Sequence, residues 1–294
     1  MNIAIPGTSP IDGVAAAAAK PPRGQISIRN VTKIYDPEGV NVMAVDDCSM
    51  EIAAGEVCMI VGPSGCGKTT LLNAIAGFHS ITSGEILLDG KLLCGPGRPK
   101  ADQSAERIVV FQHGALFPWK TLAENVAYGP MVQGKLSKKE ALEKAQFKLA
   151  EAGLGDFGGK YPGEVSSGMA RRAEIVRALI NDPSVLLLDE PYRAMDALTK
   201  SIMHESLLEV YDRTKVTIFF ITHDLDEAIF LGDKVYVVTT RPCRLKKTVE
   251  VRLPRPRNFE MLSSEAFRLL VSEINEAVHE EAIKAFQSGE REMA

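Results

Sequence analysis

Gly62-Pro63-Ser64-Gly65-Cys66-Gly67-Lys68-Thr69, followed by Thr70, sets glycines, a lysine and hydroxyls in one short stretch. These residue types at this spacing can wrap a phosphate. The glycines let the backbone fold tightly with its N–H groups pointing inward, and a helix that follows turns its positive dipole end toward the same point. Lys68 adds a positive charge for the β- and γ-phosphates, and Thr69 offers a hydroxyl to magnesium. The flanks suit that role. Val57-Cys58-Met59-Ile60-Val61 reads as a buried strand, and Thr70-Leu71-Leu72-Asn73-Ala74-Ile75-Ala76 as the helix after the loop. Nucleotide binding is the expectation.

Other apolar, β-branched runs read as buried parallel strands: Ile108-Val109-Val110-Phe111, Val185-Leu186-Leu187-Leu188, Val216 to Ile221, and Val235-Tyr236-Val237-Val238. Polar residues follow the first three. Gln112 comes after the first, Asp189-Glu190 after the second and Thr222-His223 after the third. Open α/β sheets bind ligands at the carboxyl ends of their strands, so these side chains are expected to meet the glycine loop. Asp189 is placed to hold magnesium. Glu190 is placed to deprotonate the water that attacks a γ-phosphate, and His223 to hydrogen-bond that phosphate.

Around this centre the remaining elements can be read in outline. Residues from Gln25 to Glu56 alternate apolar and polar, and Gly84 to Leu93 reads as a hairpin turning at Asp89-Gly90. Both suggest an antiparallel layer beside the main sheet. Between Gln112 and Ser166 the pattern becomes helical, with Ser137 and Glu140 forming a capping box and Gly153 a stop. Arg241, Arg244, Lys246, Lys247, Arg252, Arg255 and Arg257 then cluster, a run taken as solvated surface in preference to a patch for lipid headgroups or a partner. From Ser263 onward the chain is helical and acidic.

Composition narrows the functional classes. A chain of 294 residues with 45% hydrophobic and 24% charged residues is globular, and a net charge of −4 argues against nucleic acid as the main partner. No apolar stretch approaches the ~20 residues needed to cross a bilayer, which predicts a soluble chain. Cysteines 48, 58, 66, 94 and 243 show no metal-type spacing and suggest reduced thiols in a cytosolic compartment. Cys66 reads as a small residue at a variable loop position, with oxidative inactivation as a secondary hypothesis. Residues 1–24, with Pro6, Pro10, Pro21-Pro22 and an alanine run, read as a disordered tail and make a poor secretory signal.

One further segment gives the class. Val165-Ser166-Ser167-Gly168-Met169-Ala170-Arg171-Arg172 enters a helix upstream of Asp189; alone, Ser166 is only an N-cap. In this position the segment resembles the signature of ABC-type ATPases, usually Leu-Ser-Gly-Gly-Gln. The resemblance spans about residues 25–257 and implies Gln112 as the Q-loop, acting in catalysis and at magnesium beside Thr69 and Asp189. It also implies Ala194-Met195-Asp196 as the D-loop, His223 as the switch histidine and Tyr35 as the adenine-stacking aromatic. Gln112 to Leu122, Met169, Asp196-Ala197-Leu198-Thr199 and Leu253-Pro254-Arg255-Pro256-Arg257 are similar to the ATP-binding subunits of nitrate/sulfonate/taurine-type importers.

The implied fold is α/β, a P-loop NTPase of ABC type with a mostly parallel core sheet, an antiparallel β subdomain and a helical subdomain over about 113–165. An acidic helical extension would occupy 258–294. The implied activity is ATP hydrolysis with ATP and Mg²⁺, energising solute import from the cytoplasmic face of the cell membrane. Implied partners are a second copy, a membrane permease and, indirectly, a solute-binding protein. Two ATP molecules would lie between copies, each held by residues 62–70 of one and by Ser166, Ser167, Gly168 and Asp196 of the other. The segment near Phe117-Pro118-Trp119 would pass motion to the permease. Ser167 stands where the family has glycine and Val165 where it has leucine, a change expected to weaken or retune that closure. A non-transport ABC ATPase acting on nucleic acid or ribosomes is the main alternative. It is opposed by the acidic balance and the short helical insert. A small-molecule kinase would leave the signature and D-loop without a purpose.

Overall fold

The computed structural model describes residues 22–193 and 195–287. Most of the expected N-terminal tail, Ala194 of the D-loop reading and the last residues of the C-terminal extension lie outside the described residues.

Strands β1 (Ile26–Tyr35) and β2 (Val42–Ile52) pair antiparallel, and β3 (Val57–Val61) leads through the glycine loop into α1 (Lys68–Ala76). β4 (Ser83–Leu88) and β5 (Lys91–Cys94) form the hairpin around Asp89-Gly90, with φ of 49° and 74° at those two residues. Positive φ at both positions is what an Asp-Gly turn supplies. β6 (Arg107–Val110) precedes a helical stretch of α2 (Leu122–Val132), α3 (Lys138–Glu151) and α4 (Ser167–Leu179). The chain then alternates β7 (Val185–Asp189), α5 (Ala197–Thr214), β8 (Thr217–Ile221), α6 (Leu225–Leu231) and β9 (Lys234–Val238). It closes with β10 (Leu245–Glu250) and α7 (Glu265–Gln287).

The main sheet has the order β10-β9-β3-β8-β7-β6, parallel except for the β10 edge, while β2-β1-β4-β5 form a separate antiparallel layer. This is the α/β arrangement expected of an ABC cassette. Its central strands are apolar throughout because both faces are covered. Cys58, Ile60, Phe219 and Ile221 pack with α1 and the antiparallel layer, whereas Met59, Val61, Ile218 and Phe220 pack with α5, α6 and α7. A third apolar cluster joins α2 and α3 to α4 through Leu122, Val126, Ala145, Leu149 and Val176. The Ser137–Glu140 capping box is present at α3, and Thr121 with Glu124 makes a second one at α2.

The basic run after β9 is laced with ion pairs, while Arg241, Arg244 and Arg252 remain exposed as a surface reading expects. Lys246 bonds Glu280 (2.6 Å) and Glu281 (2.8 Å), Lys247 bonds Glu273 (2.9 Å), and Arg255 bonds Asp233 (2.6 Å). Arg244 pairs with Asp46 and Arg252 with Glu250. Arg257 is 9% exposed and donates to the Gly232 carbonyl. The acidic C-terminal helix supplies much of the compensating charge. Phe267, Ile274 and Ala277 of α7 are buried in the core shared with α6.

Candidate functional site

Because β3 lies between β8 and β9, with β7 and β6 beyond β8, the glycine loop opens beside the ends of its neighbours. The lysine marks its centre. The Lys68 ammonium donates to the carbonyls of Gly62 (2.8 Å) and Pro63 (2.7 Å), lies 3.8 Å from the Cys66 sulfur, and is 5% exposed. Gly67 has φ of 119°, and a Cβ there would stand 2.2 Å from the Ala44 carbonyl oxygen. Only glycine fits so close to β2. Gly65, also at positive φ, has open space in front of it, where a Cβ would meet only Arg241 at 3.8 Å. The backbone therefore leaves a cradle that side chains do not fill.

Thr69 donates to Asp189 across 3.2 Å. Burial pushes the Asp189 carboxyl above the usual carboxylate range, and the Thr69 bond opposes that shift. A hydroxyl beside one carboxylate is a hard, sparse oxygen set. It fits a magnesium ion whose remaining positions go to phosphate oxygens and water. Among the described residues no group of three or more His, Cys, Asp or Glu side chains is arranged for a metal.

Glu190 follows at φ 42°, a backbone region costing a side-chain-bearing residue about 1–3 kcal/mol. Its amide donates to Ile221 at 3.0 Å, which ties this turn to the end of β8. One carboxylate oxygen is 3.1 Å from Arg193 and 3.5 Å from His223 Nδ1. The left-handed turn thus aims the carboxylate at the cleft. That cleft, of about 300 Å³, is lined by Tyr35, Ser64, Gly65, Lys68, Thr69, Thr70, Gln112 and Glu190, with Arg193 and Arg241. Tyr35 is held by a 2.8 Å bond to His79 Nδ1, and Lys33 lies 4.8 Å over its ring.

The residues of the signature and of the D-loop reading stand elsewhere. None of Ser166, Ser167, Gly168 or Asp196 lines this cleft. Ser166 caps α4 by accepting from the Met169 amide (3.3 Å), and Asp196 caps α5 by accepting from the Thr199 amide (2.9 Å). A Cβ on Gly168 would lie 2.8 Å from the Thr199 methyl, so the two helix starts abut. Ser166 and Ser167 are exposed.

Several residues here make contacts that local sequence did not reveal. Arg171 donates to the carbonyls of Phe111 and Gln112, each at 2.7 Å, and pairs with Glu174 at 2.6 Å. Glu174 accepts from the Ala115 amide (2.5 Å), and Arg177 donates to the Ala115 carbonyl (2.7 Å) while stacking on Phe117. One face of α4 therefore grips the Gln112 segment. The spacing of 171, 174 and 177 on a helix was an available signal. Arg241 belongs to the basic run and lies just beyond the end of β9, the strand end that brings it to the cleft. Cys66 is 1% exposed, and its thiol meets that of Cys243, which also reaches Cys48. Hydrogen bonding from Cys243 pushes the Cys66 thiol down to about 6 against the effect of burial, with Lys68 contributing further.

Residues 45–193 match the family model described as ABC transporter. The chain belongs to the ABC transporter family. It is 44% identical over 232 residues to the taurine import ATP-binding protein TauB of Roseobacter denitrificans, covering 78% of this chain and 82% of that one. With the nitrate import ATP-binding protein NrtD of a Synechocystis species it shares 41% identity, over 78% of this chain and 83% of the other. Among solved structures, the ATP-binding cassette MJ0796, a dimer bound to ADP and Pi, superposes with a TM-score of 0.66 at 28% identity. That match covers 78% of this chain and 100% of the cassette. These likenesses give the chain the cassette fold and make it similar to the ATP-binding subunits of taurine, nitrate and sulfonate import systems. No helix among the described residues is long and apolar enough to cross a membrane.

Proposed function

We propose that this ABC cassette binds and hydrolyses ATP to energise solute import through a separate membrane permease, working as a nucleotide-sandwich dimer at the cytoplasmic face of the membrane. One observation carries the reading. Lys68, Thr69, Asp189, Glu190 and His223 converge at one sheet edge, while the exposed N-cap of α4 stands outside the cleft, available to a second copy. The dimeric cassettes among its structural relatives support this reading.

In the proposed mechanism Tyr35 stacks on the adenine and residues 62–70 wrap the phosphates, with backbone N–H groups and Lys68 meeting the negative charge. Thr69 and Asp189, with Gln112, would hold the magnesium ion, which neutralises charge on the phosphate oxygens. Glu190 takes the proton of the attacking water and His223 hydrogen-bonds the γ-phosphate. Ser166, Ser167 and Gly168 of the second copy bring another helix N-terminus to that phosphate, with Asp196 beside it, so binding favours closure and hydrolysis favours opening. The face of α4 that holds Gln112 and Ala115 would carry this change to the permease, while a solute-binding protein and the permease select the solute.

The deciding experiment is Lys68→Ala with ATP titrated calorimetrically. Loss of tight ATP binding is expected, and unchanged affinity would remove the cleft as the nucleotide site.

A further inference from the structure

The turn between β9 and β10 touches the phosphate loop, the antiparallel layer and the C-terminal helix. The Arg241 guanidinium donates to the Gly65 carbonyl through Nη2 at 2.9 Å and Nε at 3.3 Å. Its Nη1 makes no hydrogen bond to the described residues, and Arg241 lines the same cleft as Lys68 and Tyr35. A carbonyl dipole at the mouth of an anion cradle opposes the anion, and a guanidinium capping it replaces that opposition with attraction. The turn is fixed by β2 on one side and α7 on another. The Cys243 amide donates to Ala44 (3.0 Å), the Asp46 amide donates to Cys243 (3.1 Å), and the Thr240 amide donates to Glu281 of α7 (3.0 Å).

Glu281 is 1% exposed although it is a carboxylate. One oxygen accepts from the Thr240 backbone, and the other accepts from Lys246 (2.8 Å) and Lys284 (2.7 Å). The apolar face of α7 and the Lys246–Glu280 and Lys247–Glu273 pairs already dock the helix. A buried charge aimed at the amide just before Arg241 has a more specific consequence, because that amide sets where the guanidinium reaches.

We infer that Arg241 binds the phosphates of the nucleotide from the β9–β10 turn, and that Glu281 is a positioning residue that holds Arg241 against the loop. The inference rests on the ATP reading of the cleft. It makes the C-terminal helix part of the nucleotide site without touching the ligand.

The test measures Mg-ATP affinity of the full chain in a Glu190→Gln background, where turnover does not deplete ligand. Arg241→Ala is expected to weaken ATP about tenfold, the loss of one charge-assisted contact, and to flatten the salt dependence of binding. Arg241→Lys keeps the charge without the fork and should recover part of the loss. Glu281→Gln should weaken ATP about threefold, with the Arg241→Ala/Glu281→Gln double variant no weaker than Arg241→Ala alone. Additive losses would show that Glu281 does not act through Arg241, and unchanged affinity and salt dependence in Arg241→Ala would overturn the inference. If Glu281→Gln does not fold, the two Arg241 variants still decide the role of that residue. Lys68→Ala separates the failures: if it too leaves affinity intact, the cleft is not the ATP site, and if it alone abolishes binding, only the Arg241 role is lost.

Discussion

Asp189 and Glu190 are adjacent carboxylates in different situations. Glu190 sits at φ 42° with Arg193 and His223 at hand, whereas Asp189 is desolvated and has Thr69 as its hydrogen-bond donor. The raised pKa of Asp189 has a definite sign for stability. The folded state holds this proton more tightly than the unfolded chain, so the favourable contribution is complete below the unfolded value and is lost as pH rises through the folded one. At neutral pH the ionised carboxylate costs stability in the absence of metal. Asp189→Asn should therefore raise the unfolding temperature of the nucleotide-free protein at pH 7, with the gain shrinking as pH falls, while magnesium-dependent hydrolysis is lost. Scanning calorimetry across pH checks this, and a gain that does not change with pH would contradict the assignment to desolvation.

Helix α4 carries two jobs on one element, since its first turn presents Ser166 and Ser167 while its inner face holds the Gln112 segment. Ser167 is the first residue of the helix and is exposed, and in the proposed sandwich its extra Cβ and hydroxyl would face the partner's phosphates. Ser167→Gly should raise ATP turnover at a cost of up to about 1 kcal/mol in stability, the usual penalty of glycine in a helix. A flat rate would show that the dimer already accommodates serine. Deeper in the helix, Arg171 and Glu174 form a buried pair, and removing one partner of such a pair typically costs about 3–5 kcal/mol. Glu174→Gln keeps the shape but loses the charge. It should lower the unfolding temperature and reduce permease-stimulated hydrolysis more than ATP affinity; equal losses in both would place the effect on folding alone.

For the whole molecule, the signature residues stand outside the cleft, and in the proposed sandwich a second copy would bring them to it. Glu190→Gln should keep ATP binding, lose about 10²–10⁴ in hydrolysis rate, and elute as a dimer when ATP and magnesium are present. Near-normal turnover would remove Glu190 as the base, and a monomer at saturating ATP would argue against the sandwich. The same scale explains the charge pattern near the C-terminus. Lys246 and Lys247 of β10 meet Glu280, Glu281 and Glu273 of α7, so a basic run and an acidic helix that look separate in the chain neutralise each other in space.

By itself the sequence determined the glycine loop, its flanking strand and helix, and the polar residues after the next strands, because those depend on local spacing and on apolar runs buried on both sheet faces. It also showed the capping box of α3, which is a contact between near neighbours. Tertiary structure alone decided the left-handed turn that aims Glu190, the grip of Arg171 and Glu174 on the Gln112 segment, and the link from Glu281 through Thr240 to Arg241. Each of these depends on strand order and on helices packed from distant parts of the chain. Residue types were legible where neighbours in sequence set the chemistry, and their partners became legible only where the fold brought them within hydrogen-bonding distance.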